Sequence, residues 1–262
     1  MLTFKRVTWC PGGIDVPVIG GVDFAVPKRE FCCVVGPSGA GKTSLLRLAA
    51  GLIPAAEGQV EIDGTTPEKA RSLVSYVFQH PVLFPWRTVL ENILLPLEVQ
   101  GLEPREGLVD GFLDLVRLGG LGHKRPAELS GGMQSRVAIA RALVTNPRIL
   151  LMDEPFADLD EINREHLNVE LQRIWLAKDL TVLFVTHDLS EAVFLADRII
   201  VMSAKPGRIF ADIQVPLPRP RTEKTLDTEQ FESVLREVRH ALRAATRIGA
   251  TSEFRSMDVV AK

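Results

Sequence analysis

At 262 residues the chain is long enough for one large domain or two smaller ones, and its 46% hydrophobic and 24% charged residues exclude intrinsic disorder and a fibrous repeat. Its 31 basic against 33 acidic residues leave a net charge of −2, which excludes a general electrostatic attraction to nucleic acid or to an anionic bilayer. Every apolar segment is broken by charge, glycine or proline short of the ~20 residues that a membrane-spanning helix needs.

The N-terminus MLTFKRVTW alternates like a strand and lacks the basic start, apolar stretch and cleavage site of a signal peptide, so the chain is expected to stay in the cytoplasm. LTFKRV (2–7), VDFAV (22–26) and QVEID (59–63) alternate apolar and polar residues, as half-buried antiparallel strands do. FCCVV (31–35), LVSYVF (73–78), ILLM (149–152), VLFV (182–185) and RIIVM (198–202) are short, β-branched and continuous, the mark of strands buried on both faces. Helical patterns between them predict an α/β fold with a parallel sheet and a β-rich flank. From Pro81 to Glu128 helical spacing broken by Pro85, Pro96, Gly101 and Pro104 predicts an inserted helical subdomain, placed at about 81–146. After the proline-rich PLPRPR (216–221) a helix is expected to open on a capping box of Asp227 with Gln230. Its apolar face is Phe231, Val234, Leu235, Val238 and Leu242. Cys10, Cys32 and Cys33 suit neither a disulfide framework nor a metal site and are expected to be buried thiols.

GPSGAGKTS lies between strand 31–35 and the helical TSLLRLAAGL, and Gly36, Gly41, Lys42 and Thr43 satisfy G-x-x-x-x-G-K-[ST], the Walker A pattern. Glycines let the successive backbone N–H groups of Gly36, Ser38, Gly39, Ala40, Gly41, Lys42, Thr43 and Ser44, in the loop that also holds Pro37, turn toward one centre, where the positive end of the helix also points. Lys42 supplies a charge for the β- and γ-phosphates of ATP, and the Thr43 hydroxyl is suited to Mg²⁺.

ILLMDEP (149–155) ends in Asp153 and Glu154, at the strand edge that faces the ligand crevice of an open α/β sheet. Asp153 is suited to hold Mg²⁺ through its water shell, and Glu154 to orient and deprotonate an attacking water. LSGGMQSR (129–136) places a hydroxyl and two glycines before a helical stretch, a second anion-binding helix start in a chain whose nucleotide needs only one.

With these motifs the sequence resembles the ATP-binding cassette family over nearly all of residues 2–215, with Met133 preceding Gln134 in the signature. The resemblance implies a P-loop NTPase core with an N-terminal antiparallel β subdomain and the inserted helical one. It also implies a head-to-tail dimer in which Ser130, Gly131, Gly132 and Gln134 of one copy close over ATP held by the other. Gln79 matches the glutamine that senses Mg²⁺ and the attacking water, His187 the switch histidine at the γ-phosphate, and Asp160 the aspartate that crosses the dimer interface. His80, His123, His166 and His240 match nothing and are read as surface or packing residues. Two departures stand out. Pro11 occupies the adenine-stacking position, leaving Trp9 as the nearest aromatic, and Asp158 adds a carboxylate where small residues are usual, so it is expected to face solvent or a basic partner.

LFPWRTVLENILLPLE (83–98) and EAVFLADRIIVMSAKPGRI (191–209) are similar to the ATPase subunits of nitrate, sulfonate and taurine importers. That similarity implies ATP hydrolysis coupled to uptake of a small anionic solute, a peripheral location on the cytoplasmic face of the membrane, and permease subunits as partners, with Trp86 either bordering their docking groove or lying in the core. It implies an extracytoplasmic solute-binding protein as an indirect partner, and no nucleic acid. Another solute, such as a vitamin precursor, or a cassette acting on nucleic acid or ribosomes, stays open as the alternative. The expected organisation is an ATPase domain over 1–215 and an extension over 216–262.

Overall fold

The computed structural model describes residues 1–12, 16–104 and 108–260, with side chains described outside 108–110 and 249–260. Two sheets form the frame. The smaller has the order β2 (Ile19–Val26), β1 (Leu2–Trp9), β4 (Glu57–Ile62), antiparallel throughout, with Leu2 opposite both Val26 and Ile62. The rings of Phe4 and Phe24 stack across it at 4.7 Å.

The larger sheet has the order β5 (Val74–Val77), β6 (Ile149–Asp153), β7 (Thr181–Val185), β3 (Phe31–Val35), β8 (Arg198–Met202), β9 (Ile209–Gln214). Its first five strands run parallel, and β9 closes the edge antiparallel to β8. Every residue of β3, β6, β7 and β8 is buried, which is why these strands read as unbroken apolar runs. Alternation still sorts their side chains: Phe31, Cys33 and Val35 enter one core, Cys32 and Val34 the other. Burial holds the Cys32 and Cys33 thiols well above their ordinary range, whereas Cys10, expected inside, is only half-buried at the end of β1. Strand β9 escaped the sequence reading because only Ile213 among its residues is buried, too little for an apolar run.

The core containing Cys32 lies between the two sheets and takes in α1 (Lys42–Ala49). The other takes in α2 (Val89–Val99), α3 (Leu108–Leu115), α4 (Gly131–Leu143), α5 (Glu161–Ala177), α6 (Leu189–Leu195) and α8 (Glu229–Val260). Helix α2 starts on a capping box: Glu91 N–H donates to Thr88 Oγ1 at 3.2 Å and Thr88 N–H to the Glu91 carboxylate at 2.7 Å. The buried Asn92 amide ties down residues 84–88 through the carbonyls of Phe84, Arg87 and Thr88. Outside it, Phe84 and Trp86 pack at 5.1 Å and Trp86 stays 67% exposed, so Trp86 is not a core residue.

At the C-terminal end α7 (Glu223–Leu226) precedes α8, and the cap differs from the expected one. Thr228 Oγ1 accepts from Phe231 N–H at 3.2 Å, while Gln230 reaches back to the Pro216 carbonyl at 2.8 Å. The hydroxyl one residue on from Asp227 sits at the N-cap, which starts the helix at Glu229. Phe231, Val234, Leu235, Val238 and Ala245 are buried against α6 and β8, with Leu242 half-buried. No helix among the described residues is long and apolar enough to cross a membrane. Replacing Phe231, 2% exposed, by alanine is expected to cost ~3–5 kcal/mol of unfolding free energy in denaturant titration.

Candidate functional site

The loop 36–44 leaves β3 and enters α1 through two left-handed glycines, Gly39 at φ 77° and Gly41 at φ 83°. A Cβ at Gly36 would sit 2.9 Å from the Met202 carbonyl oxygen, so the strand can end against β8 only with glycine there. Helix α1 begins with no side-chain cap and no acidic residue in its first turn. Its first N–H groups and the positive end of its dipole are therefore left for an external anion. Lys42 Nζ meanwhile donates to the carbonyls of Gly36 at 2.9 Å and Pro37 at 3.3 Å, folding over the loop.

Asp153 ends β6 at 7% exposure. Its Oδ1 accepts from the Thr43 hydroxyl and its Oδ2 from the Tyr76 phenol, both at 3.1 Å. Tyr76 is a site residue that the sequence reading missed. The chain's one tyrosine, in a strand three residues before Gln79, was the available signal.

Glu154 follows at φ 46°, a left-handed backbone that a glutamate adopts at a cost of ~1–3 kcal/mol. Its N–H donates to the Val185 carbonyl at 2.9 Å, and its Oε2 lies 2.8 Å from His187 Nδ1, just past the end of β7. Lys42, Thr43, Asp153, Glu154 and His187 thus gather at the C-terminal edge of one parallel sheet.

The remaining sequence-predicted residues lie around this group. Gln79 is exposed on the bend after β5. Ser130 caps α4, its Oγ accepting from Met133 N–H at 3.4 Å, with Gly131 and Gly132 exposed or half-exposed beside Leu159. Gln134 turns its amide onto the Pro126 and Leu129 carbonyls at 3.0 and 3.4 Å, bracing the loop ahead of the helix. Asp160 caps α5 through Asn163 N–H at 3.0 Å, which lowers its pKa. Asp158, expected to face solvent or a basic partner, is exposed and lies 3.0 Å from His80 of the same chain. Trp9 is half-buried against the core between the sheets, packed there as an ordinary strand residue.

Burial lowers the Lys42 ammonium, with Glu154 and Asp153 opposing the shift. Burial raises Asp153, with Tyr76 and Thr43 opposing and Glu154 adding to it. Burial and the Asp153 charge drive the Tyr76 phenol far above its ordinary range, so it stays a donor. A desolvated cation and an uncapped helix start facing two carboxylates fit a nucleotide phosphate chain, and the Thr43–Asp153 pair is an all-oxygen donor set fit for a hard divalent cation.

A second missed group lies behind His187. Buried Glu191 on α6 accepts from the Thr186 hydroxyl, which itself accepts from Asp188 N–H at 3.0 Å. Asp188 caps α6 through Glu191 N–H at 3.0 Å and pairs with Arg164, which also donates to the Leu159 carbonyl at 2.9 Å. Burial pushes the Glu191 carboxyl up to about 8.

The frame and its phosphate loop define a P-loop nucleotide-binding ATPase. Residues 19–157 match the ABC transporter family model. The aliphatic sulfonates import ATP-binding protein SsuB of Bacillus cereus is 43% identical over 223 residues, 85% of this chain and 87% of that protein. A putative ATP-binding protein of Brucella abortus is 43% identical over 248 residues, 92% of this chain and 93% of that one. Among solved structures, the dimeric ATP-binding cassette MJ0796, in a post-hydrolysis state with ADP and Pi, is similar at a TM-score of 0.72 and 32% identity. The match covers 83% of this chain and all of that one. The chain belongs to the ABC transporter family, as an ATP-binding ATPase subunit whose hydrolysis is coupled to transport.

The unfolded Glu191 side chain releases its proton near 4.5 and the folded one near about 8, so folding stability falls as pH rises between these values. Glu191→Gln keeps an acceptor for Thr186 and removes the titration. Its stability relative to wild type is expected to improve by on the order of a few kcal/mol from pH 5 to pH 8, read from denaturant unfolding at the two pH values.

Proposed function

We propose that this chain is the ATPase subunit of an importer for sulfonate-type organic anions, working as a head-to-tail pair on separate permease subunits at the cytoplasmic face of the membrane. The observation that carries the ATPase part is the Glu154–His187 pair at 2.8 Å beside the Thr43–Asp153 pair at 3.1 Å. The importer and its solute class rest on the 43% identity to the sulfonate-import protein. We take 1–215 as the catalytic unit, with a helical subdomain inserted at about 81–146, and 216–262 as its extension.

Residues 36–44 hold the triphosphate through their N–H groups, and Lys42 leaves the Gly36 and Pro37 carbonyls to pair with the phosphate charge. Thr43, Asp153 and Gln79 would hold Mg²⁺. When bound, the ion neutralises charge on the phosphate oxygens. Glu154 orients a water and accepts its proton as the water attacks the γ-phosphorus and the bond to the β-phosphate oxygen breaks, giving ADP and phosphate. His187 holds Glu154 and donates toward the γ-phosphate.

None of the hydrogen bonds of Ser130 or Gln134 reaches residues 36–44 of the same chain. That local bonding, with the dimeric form of the similar cassette, supports a reading in which Ser130, Gly131 and Gly132 serve nucleotide on a second copy, with Asp160 at the joint. ATP then favours the closed pair because it contacts both copies only there. The exposed Phe78, Val82, Phe84 and Trp86, beside Gln79, are the apolar surface that we assign to the permease.

Glu154→Gln is expected to retain ATP binding while hydrolysis falls ~10²–10⁴-fold, measured as steady-state phosphate release; full turnover in this variant removes Glu154 from the chemistry. For the solute class, the chain is assembled with its permease and solute-binding protein in liposomes. Alkanesulfonate in the lumen, with the solute-binding protein on that side, is expected to raise ATP hydrolysis several-fold, whereas stimulation by nitrate, taurine or a heterocycle alone would replace the sulfonate assignment.

A further inference from the structure

Helix α6 has only seven residues, and His187 stands immediately ahead of its N-cap Asp188. So short a helix has few internal hydrogen bonds to hold its direction. Its C-terminal carbonyls, which lack partners within the helix, are taken by two guanidinium groups from the segment following β9. Arg221 donates through Nη1 to the carbonyls of Val193 at 3.0 Å, Phe194 at 2.9 Å and Ala196 at 2.7 Å. Arg219 donates through Nη2 to the Leu195 carbonyl at 2.5 Å. These contacts place two cations at the negative end of the helix dipole.

The two arginines are themselves fixed. Arg221 is 1% exposed and ranks among the largest fully buried side chains. Its backbone N–H donates to the Gln172 amide oxygen at 2.8 Å and its carbonyl accepts from Gln172 Nε2 at 2.7 Å, a two-bond ring onto α5. Arg219 stacks on Trp175 of α5 at 4.3 Å and donates through Nε to Asp197 at 2.9 Å; the other Asp197 oxygen takes the N–H of Phe31, where β3 starts toward the phosphate loop. Burial, with Arg219 nearby, lowers the Arg221 guanidinium to about 10, which leaves it charged at neutral pH.

We infer that Arg219 and Arg221 are positioning residues for hydrolysis: they cap α6 from behind and so set where His187 stands against Glu154. Arg219 and Arg221 are then the part of the segment after β9 that places His187, while α8 packs on the domain. The N-terminal end of α6 is pinned by Arg164 through Asp188, so the helix is held at both ends by arginine from outside it. A ten-ångström-scale lever of this kind, about 1.5 Å per residue over seven residues, carries a small tilt at Arg221 directly to the imidazole.

The inference rests on the part given to His187 above, and the experiment separates the two. Full-length wild type, Arg221→Gln, Arg221→Lys, Phe231→Ala and His187→Asn are compared for kcat and KM of ATP hydrolysis with Mg²⁺. The temperature is one at which circular dichroism shows each folded. Arg221→Gln is expected to lower kcat ~10–100-fold with KM within about twofold, and Arg221→Lys to recover part of that loss, since misplacement of a catalytic group by about an ångström costs this much. Phe231→Ala, which weakens the extension while leaving the cap, is expected to keep kcat. The His187 ring resonances, assigned by their loss in His187→Asn, are expected to shift in Arg221→Gln and to stay in place in Phe231→Ala.

If His187→Asn hydrolyses ATP normally, the role of His187 fails and the inference with it. If His187→Asn is inactive but Arg221→Gln keeps its kcat and its His187 resonances, the inference alone is overturned. Should Arg221→Gln not fold, the same readings are taken on Arg219→Gln, which uncaps only the Leu195 carbonyl.

Discussion

The hydrogen bond from Glu154 N–H to the Val185 carbonyl holds the site together. It holds Glu154 in a left-handed backbone that no glutamate prefers, one residue past the point where Asp153 pairs with Val185 in the β6–β7 ladder. The chain that supplies the acceptor continues two residues to His187, so the same bond brings the two side chains within 2.8 Å. Register does the rest, since Val185 also ends opposite Val34 of β3, the strand that leads into the phosphate loop. Parallel strands in register terminate on one edge, and the residues just past their ends meet there without any long-range search.

That edge is crowded with charge even before anything binds. Lys42 lies back on its own loop carbonyls, Thr43 and Tyr76 occupy both oxygens of Asp153, and Glu154 is taken by His187. Each of these side chains has at least one internal partner, which limits the desolvation cost of folding the site around no ligand. Nucleotide then competes with these bonds, and the start of α1, which has no side-chain cap among the described residues, is the part of the cradle left to it.

The C-terminal segment joins this scheme through α6. Helix α8 covers α6 and β8 with a face of large apolar residues, but the contacts at the end of α6 remote from His187 are polar: three carbonyls on Arg221 and one on Arg219. A buried guanidinium surrounded by carbonyls is costly to leave half-paired, which makes the geometry of this cap steep rather than tolerant. Arg164, on the other side, links the same short helix to the Leu159 carbonyl in the segment that follows Glu154. Elements remote in the chain thereby share one small lever.

Local chemistry was legible in the sequence wherever a motif is contiguous. Gly36 to Ser44 announces an anion cradle because glycine, lysine and threonine must stand at fixed spacing between a strand and a helix, and Asp153 and Glu154 announce themselves by ending an apolar run. The buried strands were legible for a related reason, since a parallel sheet covered on both faces admits only apolar side chains, whereas β9, with one buried residue, left no such trace. The α8 start was displaced by one residue because Asp227 and Thr228 are both able caps, and only the packed orientation of the helix selects the threonine. His80 beside Asp158 and the arginine cap on α6 lay beyond reading, because each joins residues whose separation in the chain carries no information about their distance in space. Sequence determined which segments bind phosphate and which strands are buried; the tertiary structure alone decided which side chains stand behind them, because strand order, register and helix docking are set by the whole core and not by any single stretch.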